Sequence, residues 1–321
     1  HPLFIGGDPF NVTSMYILVS HLEKEFGVHY AVGGVQAIAD AMVRVIEAQG
    51  GEVRLGTQVD RIDIEGGRAT GVTLEGGARH AADVVVSNAD AGHTYAHLLR
   101  GVPNRRWPEA RLDRARWSMG LFVWYFGTKG TRGMWGDVGH HTILNGPRYR
   151  GLVNDIFMKG RVADDMSLYV HRPSVTDPSC APEGDDTFYV LSPVPHLGHS
   201  EKTDWSQMTE TYRARMIKVL EDQLIPGFSE RVCASETFTP DVFRDRYLAP
   251  HGTGFSIEPR ILQSAWFRPH NISEELDGLF ITGAGTHPGA GLPGVVSSAE
   301  VLSRLVPDPE TISTDLPMAA E

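Results

Sequence analysis

A glycine-rich segment near the end of the chain constrains its fold more than any other feature. Residues 279–296 read LFITGAGTHPGAGLPGVV. An apolar, strand-like run enters a loop with five glycines, and Pro293 then opens a series of apolar residues at helical spacing. A glycine loop that feeds a helix N-terminus presents free N–H groups and a partial positive charge to an anion such as phosphate. The segment therefore predicts half of a nucleotide-cofactor site.

Two other interpretations of this segment are rejected. Residues 289–294 match G-x-G-x-x-G, but a dinucleotide fingerprint needs a following βαβ unit and an acidic residue about 20 positions later. Only a polar, proline-punctuated tail follows here, so we predict no independent NAD site. Residues 279–299 carry no charge and could span a bilayer in length, yet their clustered glycines favour a buried loop and helix.

The amino-acid composition limits the classes of protein to which the chain can belong. With 321 residues, 41% hydrophobic and 21% charged, the chain is long and apolar enough for one large or two ordinary globular domains. Its net charge of −11 argues against nucleic acid as a partner. The two cysteines, Cys180 and Cys233, form no C-x-x-C pair, which is compatible with a reducing cytosol and disfavours a disulfide framework.

Periodicity divides the chain into two kinds of region. Residues 30–92 predict an α/β unit with an inserted β-meander, whereas residues 93–270 are rich in aromatics and turns and predict a mostly antiparallel sheet with covering helices. The aromatic content fits either an ordinary sheet core or a long apolar substrate tunnel. We expect helices over 12–26, 35–49 and 206–224, and strands over 52–55, 59–64, 69–74 and 83–87.

No catalytic constellation stands out among the side chains. The pair His140-His141 invites a metal hypothesis, but its glycine-rich surroundings predict a surface loop, and we expect no metal site. G-x-S-x-G and Walker motifs are absent from the sequence, and no acid/base pair can be assigned, so the catalytic residues stay unknown. The lack of an assignable catalytic group is typical of an enzyme whose cofactor performs the difficult chemical step.

The glycine-rich segment and several upstream motifs resemble one known family. Residues 283–295 are similar to the C-terminal FAD-binding signature of bacterial-type phytoene desaturases, within the FAD-dependent amine oxidase-like superfamily. The resemblance runs through almost the whole chain in the same order. Its other motifs lie at residues 3–9, 87–90, 146–149, 191–198, 238–244 and 263–270.

The resemblance implies a mixed α/β fold in which a Rossmann-like FAD/NAD(P)-binding domain is interleaved with an antiparallel-sheet-plus-helices substrate domain. We expect residues 30–92 and 266–306 to form part of the FAD-binding domain. Residues 1–29 and 93–265 would form the substrate and membrane-associated domain, and 307–321 a polar tail. Family members begin with a βαβ unit that carries G-x-G-x-x-G, and the chain instead starts HPLFIGGDPF, so we expect an N-terminally truncated chain.

The resemblance also implies which residues meet FAD. Gly283, Ala284 and Gly285 would pass close to its ribityl–phosphate region, where Thr286 or the backbone supplies the contacts. A second group would lie beside the isoalloxazine ring, at the helix N-terminus: Pro288, Gly289, Gly291, Gly294 and Val295. Val59 matches a strand whose backbone meets the adenine.

The implied activity is desaturation of a linear carotene, phytoene, towards neurosporene or lycopene, by hydride abstraction to the flavin. Alternatives left open are a related FAD-dependent carotenoid oxidoreductase (a ketolase, an isomerase or a saturase) and an inactive fragment. The implied partners are a long apolar polyene and a membrane surface, with a homo-oligomer left open. A cytoplasmic protein held at the cytoplasmic face of the membrane is the expected location.

Overall fold

A computed structural model describes residues 2–103, 106–200 and 203–308. Short 3₁₀ turns connect many of its elements, and α3 continues as a π-helical stretch, Thr94–Leu98. The helices are α1 Ile17–Phe26, α2 Val35–Ala48, α3 Ala91–His93, α4 Glu109–Arg114, α5 Tyr149–Phe157, α6 Trp205–Gln223, α7 Pro240–Tyr247 and α8 Leu292–Ser303. The strands are β1 Val59–Glu65, β2 Arg68–Leu74, β3 Arg79–Ala81, β4 Val85–Ser87, β5 Gly120–Thr128, β6 His141–Leu144, β7 Leu168–His171, β8 Asp186–Val194, β9 Val232–Phe238 and β10 Leu279–Ile281.

Two small sheets lie beside the glycine-rich segment. β1, β2 and β3 form an antiparallel meander, and the β1–β2 turn uses Gly66 and Gly67, both at positive φ, as a tight hairpin requires. β4 and β10 pair in parallel, although almost 200 residues of chain separate them. Their side chains join those of β1 and β2 in one hydrophobic cluster, so β10 is held firmly at the point where the glycine loop leaves it.

A larger antiparallel sheet has the strand order β6-β7-β8-β5-β9. β5 and β8 pair along their full nine residues, from Gly120↔Val194 to Thr128↔Asp186. On one face, aromatic side chains of β5 and β8 pack against α6, where Phe122 meets the rings of Trp205 and Tyr212. The aromatic residues of this region therefore form a sheet core, and the expected antiparallel sheet is confirmed.

Five of the expected elements are confirmed with small shifts of their ends: α2, α6, β1, β2 and β4. The helix expected over 12–26 is confirmed as α1, but it begins only at Ile17, after a 3₁₀ turn over Ser14–Tyr16. The strand expected over 52–55 is wrong, because that segment pairs with no strand among the described residues. An extended, β-prone segment becomes a strand only when a neighbour satisfies its backbone groups. Of the expected polar tail, residues 309–321 lie outside the described residues.

The strand pairing shows how the two expected regions, the FAD-binding one and the substrate-binding one, alternate along the chain. β4 and β10 come from the two ranges expected to form the FAD-binding domain, whereas β5–β9 all come from 93–265. Tyr95, Trp107 and Trp117 also pack into the cluster around β4 and β10, so side chains from both ranges share that core. The domain boundaries stay a prediction. Among the described helices, none has the length and the apolar character needed to cross a bilayer.

Candidate functional site

The glycine-rich segment folds as a strand, a loop and a helix, as its sequence predicts. β10 ends at Ile281, the loop runs to Gly291, and α8 begins at Leu292 with Pro293 in its first turn. Gly283, Gly289 and Gly291 all have positive φ, at 118°, 140° and 96°. Side chains with a Cβ rarely adopt such angles, so the course of this loop depends on glycine.

A buried hub of hydroxyl groups holds the loop against α8. The Ser298 hydroxyl lies 2.7 Å from Thr282 Oγ1 and 3.1 Å from Thr286 Oγ1, and it accepts from the Gly283 N–H at 3.0 Å. Asn271 Nδ2 donates to the same hydroxyl at 3.1 Å. Because Thr286 is fully buried and also donates to the Gly283 carbonyl, its hydroxyl supports the loop from within.

Two glycines allow close packing beneath the loop. A Cβ on Gly285 would stand 2.9 Å from both Ala91 Cβ and Ser256 Oγ, and one on Gly294 would stand 2.6 Å from the Gly289 carbonyl. Both distances are shorter than real Cβ contacts permit. Gly285 thus brings the loop onto the start of α3, and Gly294 lets α8 turn close to the loop that precedes it.

The outer side of the loop is open by contrast. At Gly291 a Cβ would meet none of the described atoms within 4 Å, apart from its chain neighbours. Gly291 also caps α8, and no side chain among the described residues caps the first N–H groups of that helix. Pro288, which follows a cis peptide bond, and Val295 are half-buried beside this opening. The α8 N-terminus therefore offers unpartnered N–H groups and its positive dipole end to an electron-rich group.

A buried arginine lies under the same loop. Arg268 is 2% exposed and donates to the carbonyl oxygens of Ala284, at 2.8 Å, and Ile257, at 3.3 Å. Its Nε has no hydrogen-bond partner among the described residues. Burial lowers the pKa of this guanidinium from its usual value. A buried cation with an unused donor, close to Gly289, fits a group that gains negative charge.

Asp90 caps the short helix that the loop contacts. Its Oδ1 accepts from the Gly92 N–H at 2.7 Å. Burial raises the pKa of this carboxyl from its usual value, while hydrogen bonds and the nearby Arg268 oppose the rise. Asp90 and Arg268 therefore interact electrostatically under the loop.

Val59 lies at the start of β1, opposite Leu74. It packs, half-buried, against the cluster that contains Leu279 and Ile281 of β10. The structure thus places Val59 on the same core as β10, the strand that leads into the glycine loop, and the contact of Val59 with adenine stays a prediction.

An apolar cavity of about 450 Å³ is lined in part by residues of β6, β7 and β8. Leu168, Leu191 and Phe255 are among the side chains that line it, together with Tyr149 and Tyr169. Phe255 is followed directly by Ser256, the residue on which Gly285 packs. One backbone segment therefore connects the cavity wall to the glycine loop.

A second, polar cavity of about 200 Å³ is lined by His196, His199, His251 and Glu258. Burial lowers the pKa of His196 to about 3 and raises that of Glu258, so the imidazole is neutral and the carboxyl is less acidic than usual. The polar atoms of these residues can hydrogen-bond to water, and no sequence pattern assigned them a role.

Sequence analysis missed Arg268, Asp90, Asn271 and Ser298. Arg268 and Asp90 lie inside the motifs at 263–270 and 87–90, which signalled their importance without revealing their role. No pattern marks Ser298, because its partners, Asn271 and the loop residues Thr282 and Gly283, come from two other segments that only the fold brings together with it.

The chain also matches a known protein family. The family model for flavin-containing amine oxidoreductases matches residues 3–306, nearly the whole chain. A solved oxidoreductase from Methanosarcina mazei superposes with a TM-score of 0.64 at 18% identity, over 94% of this chain and 64% of that one. At this identity the likeness shows the fold alone, and it confirms the expected fold class.

Two curated relatives are much more similar in sequence. The neurosporene-forming phytoene desaturase of Cereibacter sphaeroides is 69% identical over 96% of this chain and 59% of the relative. The neurosporene-forming phytoene desaturase of Rhodobacter capsulatus is 65% identical over 97% of this chain and 60% of the relative. The chain therefore spans about three fifths of the length of these relatives.

Proposed function

The chain belongs to the flavin-containing amine oxidoreductases, within the bacterial-type phytoene desaturases, and from that premise we propose that the protein desaturates phytoene with FAD. The two relatives described above, at 69% and 65% identity, form neurosporene, which makes neurosporene the product we propose. A relative from Paracoccus at 45% identity forms lycopene, so further desaturation is the alternative end point.

One observation carries the proposal: a single backbone segment links the glycine loop to the wall of the apolar cavity. Phe255 lines the cavity, and its neighbour Ser256 lies beneath Gly285 of the loop. A cofactor seated on the loop would then face a substrate in the cavity. The walls contributed by Leu168, Leu191 and Phe255 match a hydrocarbon chain, because burying apolar surface is the main source of affinity for such a ligand.

The described residues fit FAD at the loop. When bound, FAD supplies a two-electron acceptor for a hydride leaving an allylic carbon. The uncapped N-terminus of α8 and the buried Arg268 guanidinium would stabilise negative charge on a flavin held beside Gly289 and Gly291. A polyene that filled the apolar cavity would displace water from its own reacting carbons.

The complete gene product, incubated with FAD and phytoene in liposomes, tests this function. We expect loss of phytoene and growth of coloured products that have lost two hydrogens for each new double bond. A product with added oxygen would indicate a ketolase, one of unchanged mass an isomerase, and one with added hydrogen a saturase. Unchanged phytoene, with FAD bound, would contradict the proposal.

We further propose that the protein collects its substrate at the cytoplasmic face of the membrane, because phytoene dissolves in lipid. Two exposed apolar side chains of the cavity wall, Phe4 and Ile143, support a contact with lipid there. Flotation with liposomes tests the contact: the wild type should float with the vesicles, and Ile143→Asp should float less. Equal flotation of both would contradict this docking site.

A further inference from the structure

Three histidines meet at the β6–β7 edge of the large sheet. His141 begins β6 and lies directly opposite His171, the last residue of β7, while His140 precedes β6. His140 Nε2 and His171 Nε2 are 2.7 Å apart, and one ring nitrogen from each of the three residues lies within 4.8 Å of the others. The expectation of a plain surface loop is therefore wrong for His141, because cross-strand pairing with a residue 30 positions away leaves no local signal.

The spacing of these nitrogens fits a metal ion. With metal–nitrogen bonds of about 2.0–2.1 Å, the donors of a tetrahedral site stand about 3.3 Å apart. The observed separations, from 2.7 Å up to 4.8 Å, bracket that value, and small ring rotations would equalise them. His140 and His171 share at most one hydrogen between their Nε2 atoms, so a cation at this point would take a lone pair from each.

The second ring nitrogens of two of these histidines are held by hydroxyl groups. His140 Nδ1 lies 2.7 Å from Thr176 Oγ1, and His141 Nδ1 lies 2.6 Å from Tyr169 Oη. Such outer hydrogen bonds fix the tautomer and the ring orientation of metal-binding histidines. Tyr30 also packs edge-on against the His140 ring, with centroids 4.7 Å apart.

The hydrogen bonding of His171 also suits a metal. Imidazole ligates a metal in its neutral form, through a ring nitrogen that carries no hydrogen. His171 Nδ1 is buried and has no hydrogen-bond partner among the described residues, so hydrogen bonding holds this ring only through Nε2, the atom that faces His140.

We propose that His140, His141 and His171 form a binding site for a divalent transition metal such as Zn²⁺, with solvent completing the coordination. Imidazole is a preferred ligand of Zn²⁺, Cu²⁺ and Ni²⁺, and three histidines with one open position are a known zinc arrangement. Since His141 is exposed, water can reach the fourth position.

The site adjoins the apolar cavity through Tyr169. The Tyr169 hydroxyl contacts His141, and its ring lines the cavity and meets Phe4 edge-on at 5.4 Å. A metal at the cluster would fix the orientation of His141 and with it the Tyr169 hydroxyl. The ion would therefore stabilise this part of the cavity wall, without needing any contact with FAD.

Metal titration of the complete protein tests the site. The protein is made without a polyhistidine tag, treated with a chelator and titrated with Co²⁺, whose visible absorption reports the coordination geometry. We expect one equivalent to bind with the absorption of a four- or five-coordinate ion, and Zn²⁺ to displace it. His140→Ala and His171→Ala should lower the affinity at least as much as the loss of an outer partner, about 10- to 100-fold.

A matched control comes from another exposed histidine. His80 lies on β3, outside the cluster, and His80→Ala should bind Co²⁺ as the wild type does. Zn²⁺ should raise the melting temperature of the wild type and of His80→Ala, but not of the cluster variants. His141→Ala, at an exposed position, keeps the test valid if the other variants fold poorly. Equal Co²⁺ affinity of the wild type and His141→Ala, or no visible Co²⁺ absorption in the wild type, would overturn the proposal.

Discussion

Ser298 shows how much a single buried hydroxyl contributes to the candidate site. It joins Thr282, the Gly283 N–H, Thr286 and Asn271, so four groups depend on one oxygen. Sequence analysis found the glycines of the loop because their backbone angles leave a strong residue-type signal. It could not find Ser298, since serine in a helix is common and its partners are distant in the chain.

Ser298→Ala should lower the free energy of unfolding of the complete protein by about 1–3 kcal/mol, because the Gly283 N–H and the Thr282 hydroxyl stay buried without the hydrogen bond to Ser298. It should also weaken FAD retention, because the loop loses its anchor. Denaturant unfolding and flavin content measure the two effects. The neighbouring Ser297 is exposed, and Ser297→Ala should change stability by no more than about 0.5 kcal/mol. Equal stability of the two variants would contradict the role of the hub.

Between elements, the close approach of the loop to α3 depends on Gly285. Gly285→Ala should destabilise the protein by about 1–3 kcal/mol, because the new Cβ would stand 2.9 Å from Ala91 Cβ and Ser256 Oγ. Gly136 is the matched control, since a Cβ there meets none of the described atoms within 4 Å. Thermal unfolding should show a loss for Gly285→Ala alone. Similar melting temperatures for the two variants would show that the loop is not packed on α3.

The ends of β7 and β8 are joined by a buried ion pair. Asp186 accepts from Arg172 at 2.9 and 3.2 Å, and from Ser174 and Thr131. Burial alone would raise the pKa of Asp186, but the hydrogen bonds from Arg172 and Ser174 outweigh it and hold the pKa below its usual value. A carboxyl with a lowered folded-state pKa stabilises the fold above its unfolded pKa, and this contribution is lost as the pH falls through the folded value.

Asp186→Asn should therefore destabilise the protein near pH 7 by about 3–5 kcal/mol, since it leaves Arg172 buried without its partner. Below about pH 4 the difference from the wild type should begin to shrink, and it should go on shrinking as the pH falls through the lowered pKa of Asp186, because the wild-type carboxyl becomes protonated over this range. Unfolding free energies measured across this range check the sign. Asp222→Asn removes an exposed pair with Lys218 and should cost only about 0–1 kcal/mol. A difference for Asp186→Asn that grows towards acid would contradict the assignment.

Helices and strands were predictable from the sequence where apolar residues recur at a regular spacing. They were not predictable where a strand forms only because a distant strand pairs with it. α2, α6 and α8 follow from apolar spacing, and β1 and β2 from alternation between glycine pairs. The segment 52–55 has strand-like residues but no neighbouring strand among those described, so the prediction failed there. The opposite case is the His141–His171 pair, where strand pairing created a cluster that neither segment shows alone.

For the molecule as a whole, the order of the motifs along the chain indicated the protein family better than any single motif did. The motifs between residues 3 and 295 indicated the family, which the match over 3–306 confirms. They did not indicate that one backbone segment links the apolar cavity to the glycine loop, because Ser256, which follows Phe255, and Gly285 are brought together only by the fold. The proposed function depends on this link.

Anaerobic reduction of the bound flavin by phytoene tests that claim most directly. The complete protein, loaded with FAD and mixed with phytoene in liposomes without oxygen, should lose its oxidised-flavin absorbance as a desaturated product appears in matching amount. Gly285→Ala, with its displaced loop, should bleach more slowly, while Gly136→Ala should match the wild type. Flavin that stays oxidised beside unchanged phytoene in the wild type would contradict the account.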